Sequence, residues 1–326
     1  MMILSDRIYG SLEISDKVLL ELIGSGPVQR LKGVSQHGYP EETETAFPHY
    51  TRYEHSVGVM LLLRLLGAGL EEQVAGLLHD VSHTAFSHII DWVFGDPSKE
   101  AYQDSTLKGY IHNSVLKGII SKHGFDAEAI SDMERSGRYA LLERDAPDLC
   151  ADRIDYALRD SLCFLGADVK ACIGSLTVFN GEIAFTSMVS ARQFGGWYMK
   201  CQKELWASDE ARLRYYLIAE ALRLAMDRRI LDKEDLYKDE GTIIGMMRNA
   251  NDTEVLAKLD LGLGKLRFAV SDHGAIELKK KIRYVDPKFL SGGALTRLSE
   301  VDGGYKRLVE EERNRLLKPV RVDLVR

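Results

Sequence analysis

Cysteine is scarce in this chain. Its 326 residues include four, Cys150, Cys163, Cys172 and Cys201, and none form a CxxC pair. That spacing does not describe a disulfide framework, so small disulfide-stapled scaffolds are set aside and buried thiols in a reducing cytoplasm are expected. Long apolar runs are also missing. The N-terminal MMILSDRIYG has none of the length a signal peptide needs. The most apolar stretch, Val57 to Leu70, is broken by Arg64, Gly58, Gly67 and Gly69, so it reads as a buried core helix and not a membrane span. Positive charge is not in excess: the net charge is −6, which leaves no global field for nucleic acid or an anionic membrane. A local basic pocket for a phosphate remains compatible with it. There is no internal repeat and no low-complexity segment.

The residues that are present describe a mainly α protein. Hydrophobic residues make up 45% and charged residues 28%, ordinary for a globular chain with a large core. A short extended lead-in is expected over residues 1–14, then a helix capped by Ser15 and a second opened by Pro27 and closed by Gly38. Residues 39–51 read as a loop. Apolar spacing predicts helices over 52–68, 71–82, 84–94, 110–123, 138–143, 148–163 and 190–231. The polar span 95–109 reads as irregular and is a candidate lid. Asn180-Gly181 between Leu176–Phe179 and Glu182–Phe185 is a hairpin signal. The runs 266–270 and 282–285 look β-like. Residues 1–235 are expected to form the core, with 236–326 a mixed α/β extension packed on it.

Chemistry concentrates in histidine. Five of the nine histidines fall between His49 and His88. His79-Asp80 ends an apolar helix and offers a nitrogen and a carboxylate side by side. Such a mixed donor set suits Mn, Fe, Co, Ni or Zn. His55 stands at the mouth of another apolar helix. Asp152, Tyr156 and Asp160 are spaced i, i+4, i+8, so they share one helix face.

The segments Thr51-Arg52-Tyr53-Glu54-His55-Ser56, Leu78-His79-Asp80, Phe86-Ser87-His88 and the run Ala151 to Asp160 resemble the histidine–aspartate (HD) domain superfamily of metal-dependent phosphohydrolases. Within it they look most like the deoxynucleoside triphosphate triphosphohydrolases. The resemblance implies an HD-domain helical bundle and one divalent transition metal held by His55, His79, Asp80 and Asp152, with Mg a possible companion of the substrate phosphates. It implies that His83 and His88 assist attack and leaving-group protonation, with Asp152 counted among the catalytic groups. It further implies that Gln36, Tyr156 and Asp160 meet the sugar. Arg52, Arg153 and Arg192 are candidates for phosphate, because a guanidinium matches it with a planar fork of donors.

The pattern departs from those enzymes in two places. Ser82 and Thr84-Ala85 stand where glycine and a small or proline pair are usual. A further histidine–glutamate pair is missing, and Glu100, Gln103, Asp104 or, more weakly, His112 are the candidates to replace it. The first functional reading is hydrolysis of a dNTP to nucleoside and tripolyphosphate. The second is a nucleoside monophosphate phosphatase or cyclic-nucleotide phosphodiesterase. A third, from another class, is a nucleotide-binding sensor without turnover. A cytoplasmic homodimer is expected.

Overall fold

A computed structural model describes residues 1–133 and 137–325. Asp6 makes the first turn of the chain. Its Oδ1 accepts from the amides of Ile8 and Tyr9, which folds β1 (Met2–Asp6) antiparallel onto β2 (Gly10–Ile14). Helix α1 (Lys17–Ile23) follows, with Asp16 and not Ser15 at its N-cap, and buries Val18, Leu19, Leu22 and Ile23.

Helix α2 (Arg52–Leu65) starts from a capping box. The Thr51 hydroxyl accepts from the Glu54 amide while the Glu54 carboxylate accepts from the Thr51 amide. Residues 55–63 of α2 are all buried, as its apolar run implies. Only residues 66–69 separate it from α3 (Leu70–Leu78), so the two pack as antiparallel neighbours. After α4 (Tyr102–His112) and α5 (Val115–Lys122), helix α6 (Ala151–Leu165) packs across α2 and ends at Gly166 with φ +64°. These elements share one hydrophobic core with α7 (Met188–Cys201).

A second core lies under α8 (Asp209–Asp227), α9 (Glu240–Asn249) and α10 (Thr253–Leu263), around Ile218, Leu222, Met247 and Leu259. Two small sheets complete the fold. Strands β3 (Leu176–Phe179) and β4 (Glu182–Phe185) form the expected hairpin, with Asn180 and Gly181 at φ +50° and +75°, as a two-residue turn of this hand requires. Strand β7 (Lys288–Ser291) joins β4 in parallel and pairs with β8 (Ala294–Arg297). The other sheet has the order β5 (Phe268–Val270), β9 (Val320–Leu324), β6 (Ile276–Leu278). Helix α11 (Gly303–Leu316) packs on α7. Among the described residues no helix is long and apolar enough to cross a membrane.

Several local expectations change. The span 95–109 is not wholly irregular, because α4 begins at Tyr102 and buries Leu107 and Ile111. The helix expected over 110–123 is two helices, since Ser114 caps α5 by accepting from the Leu116 amide. Residues 138–143 hold a turn at 140–142 and no helix, and the Glu72 carboxylate accepts from the amides of Leu141 and Leu142. The helix over 27–38 shortens to Gly26–Arg30 and one 3₁₀ turn, Leu31–Gly33. The stretch 190–231 breaks at a π turn, Gln202–Trp206, after which Ser208 caps α8. Residues 282–285 pair with no strand and run over the face of the core.

One contact sets the spacing of α2 and α6. A Cβ on Gly58 would come 1.9 Å from Arg159 Nη2 and 2.2 Å from Asp155 Oδ1. Gly58→Ala is therefore expected to cost about 1–3 kcal/mol in urea unfolding, as overpacking does. Gly109→Ala, on α4 with open space around it, should instead stabilise by about 0.5–1 kcal/mol. Equal effects at the two sites would contradict the close approach of α2 and α6.

Candidate metal centre and the cleft beside it

His55 sits one turn into α2 and is fully buried. Its Nδ1 is 2.8 Å from Asp155 Oδ2, and an ionised carboxylate only accepts, so Nδ1 carries the proton and Nε2 presents its lone pair. His79 follows the last residue of α3. Its Nδ1 donates to the Gly76 carbonyl at 2.8 Å, one of the unpaired carbonyls at the helix end, so its Nε2 is also a lone pair. The two Nε2 atoms face each other at 3.2 Å. Asp152, in the first turn of α6, places Oδ1 2.9 Å from His55 Nε2 and 3.5 Å from His79 Nε2. Asp80 faces His55 with Oδ2 and His79 with Oδ1, both at 3.6 Å.

Protons alone fit this set poorly. Burial disfavours the His79 imidazolium, yet Asp80 and Asp152 outweigh burial and lift its pKa to about 10. The same balance raises His55. Two imidazoliums would then aim N–H groups at each other. One divalent cation would satisfy both lone pairs together with Asp152, whose donor atoms lie within 4.8 Å of one another, with Asp80 beside them at 3.6 Å. The residues present therefore fit a metal.

Around this centre burial sorts the charge states. Burial, with the charge of Arg52, drives the His83 pKa down to about 3, so its ring is neutral; its Nε2 is 3.3 Å from Asp80 Oδ1. The His88 ring meets His83 edge-on at 5.0 Å, and burial lowers its pKa as well. Burial, then the charge of Asp152, raises the Glu143 carboxyl to about 7.

A cleft of about 340 Å³ opens here, within the range of small-molecule sites. Gln36, Arg52, His79, Asp80, His83, His88, Asp152, Arg153, Tyr156 and Asp160 all line it, so the fold gathers most of the candidates. Their environments differ. Arg52 is buried and its fork is occupied by Asp80 at 2.7 Å, Ser87 Oγ and the Gln36 carbonyl. Arg153 donates to the carbonyls of Asp148 and Arg144 and to Glu143. The Tyr156 hydroxyl is 2.7 Å from that of Tyr198, and its ring meets Trp206 edge-on. Asp160 accepts from Trp206 Nε1 at 2.7 Å and is 2.9 Å from His37 Nε2.

Arg192 is not brought to the cleft. Helix α7 turns Ala191, Phe194 and Tyr198 inward, which leaves Arg192 56% exposed and paired with Asp302. His112 is also outside, beside Glu128 and Ser131, whereas Glu100, Gln103 and Asp104 do line the cleft. Sequence reasoning missed Asp155, although it stands three residues after Asp152 on the same helix. It also missed Glu143, Arg212, Lys281 and Arg283, which reach the cleft from distant segments and carry no local signal.

Asp155 gives this geometry a direct test. Asp155→Asn keeps the shape and removes the charge that holds the His55 tautomer. Its affinity for metal, read by chelator competition, should fall about 10–100-fold with helical circular dichroism retained. An affinity equal to the wild type would show that His55 needs no such partner.

The geometry agrees with what the chain is similar to. The HD domain family matches residues 52–160. The chain is 35% identical to the uncharacterized protein YdhJ of Bacillus subtilis, over 99% of both chains. It is 35% identical to the metal-dependent phosphohydrolase cns2 of Cordyceps militaris, over 77% of this chain and 68% of that one. It is 28% identical to the deoxynucleoside triphosphate triphosphohydrolase SAMHD1 homolog of Dictyostelium discoideum, over 57% of this chain and 41% of that one. In fold it is similar to a phosphohydrolase from Bacteroides thetaiotaomicron, with TM-score 0.71 at 17% identity over 94% and 96% of the two chains. The matched segment carries His55, the pair His79-Asp80 and Asp152, and the chain belongs to the HD-domain metal-dependent phosphohydrolases.

Proposed function

We propose that this phosphohydrolase acts on nucleotides, with a deoxynucleoside triphosphate as first substrate and nucleoside and tripolyphosphate as products. One observation carries the reading: two imidazole nitrogens with tautomers fixed by Asp155 and Gly76 meet Asp152 and Asp80 at the wall of a cleft rich in cations and aromatic rings. The match to the SAMHD1 homolog, over part of its length, supports the nucleotide class.

His55, His79, Asp80 and Asp152 would hold the metal, which when bound activates water and neutralises charge on the attacked phosphate. The neutral His83 ring, beside Asp80, can hold and orient the attacking water through a hydrogen bond. His88, one ring further along the cleft and also neutral, can donate its ring N–H as a hydrogen bond to the leaving oxygen. Tyr156 and Gln36 offer the sugar a hydroxyl and an amide. Asp160 acts through His37, since His37 and Trp206 already engage its two oxygens. Arg153 supplies charge beside Asp152.

A second reading, hydrolysis of a nucleoside monophosphate, draws on the occupied forks of Arg52 and Arg153. Each already has several acceptors within the protein, which leaves fewer free donors for a long phosphate chain.

The deciding experiment is turnover of dNTPs, NTPs and nucleoside monophosphates with Mn, Co, Ni, Mg or Zn, resolving nucleoside, phosphate and tripolyphosphate. Tripolyphosphate from the wild type alone is expected; inorganic phosphate from monophosphates would move the assignment to the second reading. Asp152→Ala should lose bound metal and turnover while keeping its helical content, and full metal content in that variant would refute the ligand set. Tyr156→Ala should raise KM about tenfold, the worth of one hydrogen bond and its packing, with metal content unchanged. Unaltered kinetics on every nucleotide would remove Tyr156 from the site.

A further inference from the structure

Beyond His88 three cations gather around Glu100, and the charges of Asp104 and Asp91 also act on one of them, Lys281. Glu100 is buried and sits at φ +52°, in the left-handed region where a residue other than glycine is strained and must be held by its surroundings. What holds it is a set of cations. Glu100 Oε1 accepts from Arg212 Nη1 at 2.8 Å, and Oε2 accepts from Arg283 and stands 3.9 Å from Lys281 Nζ. Three cations from two distant segments thus share one carboxylate.

Each guanidinium commits one nitrogen to Glu100. The Nε of Arg212 is buried without a hydrogen-bond partner, although the residue is only 1% exposed and its guanidinium lies 5.0 Å from the Tyr215 ring. Burying a donor without an acceptor costs free energy, as does an uncompensated buried charge. Arg212 is closed off from the cleft at Nε and contributes charge, whereas the accessible donors belong to the other two cations. Lys281 and Arg283 belong to the unpaired segment 279–287, and their side chains are 34% and 18% exposed, so an anion in the cleft can reach them. The site also continues the path from the metal centre. His83 touches Asp80, His88 meets His83, and the Glu100 charge acts on His88. The match to the HD domain ends at residue 160, so all three cations lie outside it.

We propose that Arg212, Lys281 and Arg283 form a subsite for the distal phosphates of a nucleoside polyphosphate, around Glu100 and beyond the metal centre. This assignment rests on the nucleotide reading above and specifies which part of that substrate selects a polyphosphate over a monophosphate. The occupied forks of Arg52 and Arg153 then cease to argue against a triphosphate, because other cations take the far end of the chain.

The test uses inorganic tripolyphosphate and orthophosphate as probes, titrated calorimetrically into the metal-loaded full chain. The wild type should bind tripolyphosphate more tightly than orthophosphate. Lys281→Gln/Arg283→Gln should weaken tripolyphosphate about tenfold or more, the value of a charge-assisted contact, while orthophosphate changes less and metal content stays the same. Arg283→Lys, which keeps the charge and loses the fork, should fall between the two. A double variant that binds tripolyphosphate like the wild type overturns the subsite, and so does a wild type that prefers orthophosphate or binds neither. Nucleotide turnover does not enter this measurement. Tight, variant-sensitive tripolyphosphate binding beside a silent nucleotide panel would uphold the subsite and sink the nucleotide substrate.

Discussion

A buried carboxylate, Asp155, is the point on which the metal centre depends. Its Oδ2 faces His55 Nδ1 at 2.8 Å and accepts from Arg159 Nε at 2.7 Å, while Oδ1 accepts from Arg159 Nη2. Arg159 in turn reaches Asp6 at 2.7 Å, where the chain makes its first turn. Neither Asp155 nor Arg159 has any exposed surface. Buried ion pairs of this kind add little net stability, because desolvation offsets most of the attraction. What this network supplies is geometry: it fixes one imidazole tautomer and ties the N-terminal hairpin, α2 and α6 into one unit. Gly58 is the space that lets the network exist.

From that anchor the rest of the centre follows by packing. The short link between α2 and α3 brings His79 and Asp80 back alongside His55, and α6 lays Asp152 across both. His79 and Asp80 arrive at the end of α3, where the free Gly76 carbonyl holds the His79 ring, and Asp152 stands in the first turn of α6. Away from the donors, low polarity separates the protonation states of neighbouring groups. His83 stays neutral and Glu143 titrates near 7, although both border the same cleft. A site that handles protons beside a multiply charged phosphate gains from such separation, because proton donors and acceptors are set before the substrate arrives.

The C-terminal third adds to the wall of the cleft. Residues 281–284 line it together with the start of α8, and they bring charge that the matched HD segment does not contain. The candidate metal donors therefore come from one half of the chain, and Arg212, Lys281 and Arg283 join the cleft lining from the other. Function on this scaffold is decided by the pocket more than by the bundle, as the range of reactions compatible with one donor set implies.

The sequence by itself determined the features that depend on near neighbours. Apolar spacing marked α2, α3 and α6, Asn180-Gly181 marked the hairpin, and the i, i+4, i+8 stripe put Asp152, Tyr156 and Asp160 on one face. The order of His55, His79-Asp80 and Asp152 was enough to reach the family. Only the tertiary structure decided matters that turn on distant partners. Residues 282–285 alternate like a strand, but among the described residues they join no sheet, and 282–284 line the cleft instead. Residues 138–143 form no helix, and the distant Glu72 carboxylate takes the amides of Leu141 and Leu142. Arg192 looked suited to phosphate and faces outward because α7 buries the opposite stripe. Asp155 stood in plain view, yet its part is visible only once His55 and Arg159 lie against it. Local periodicity is a property of the chain; which carboxylate meets which cation is a property of packing, and no short stretch of sequence contains it.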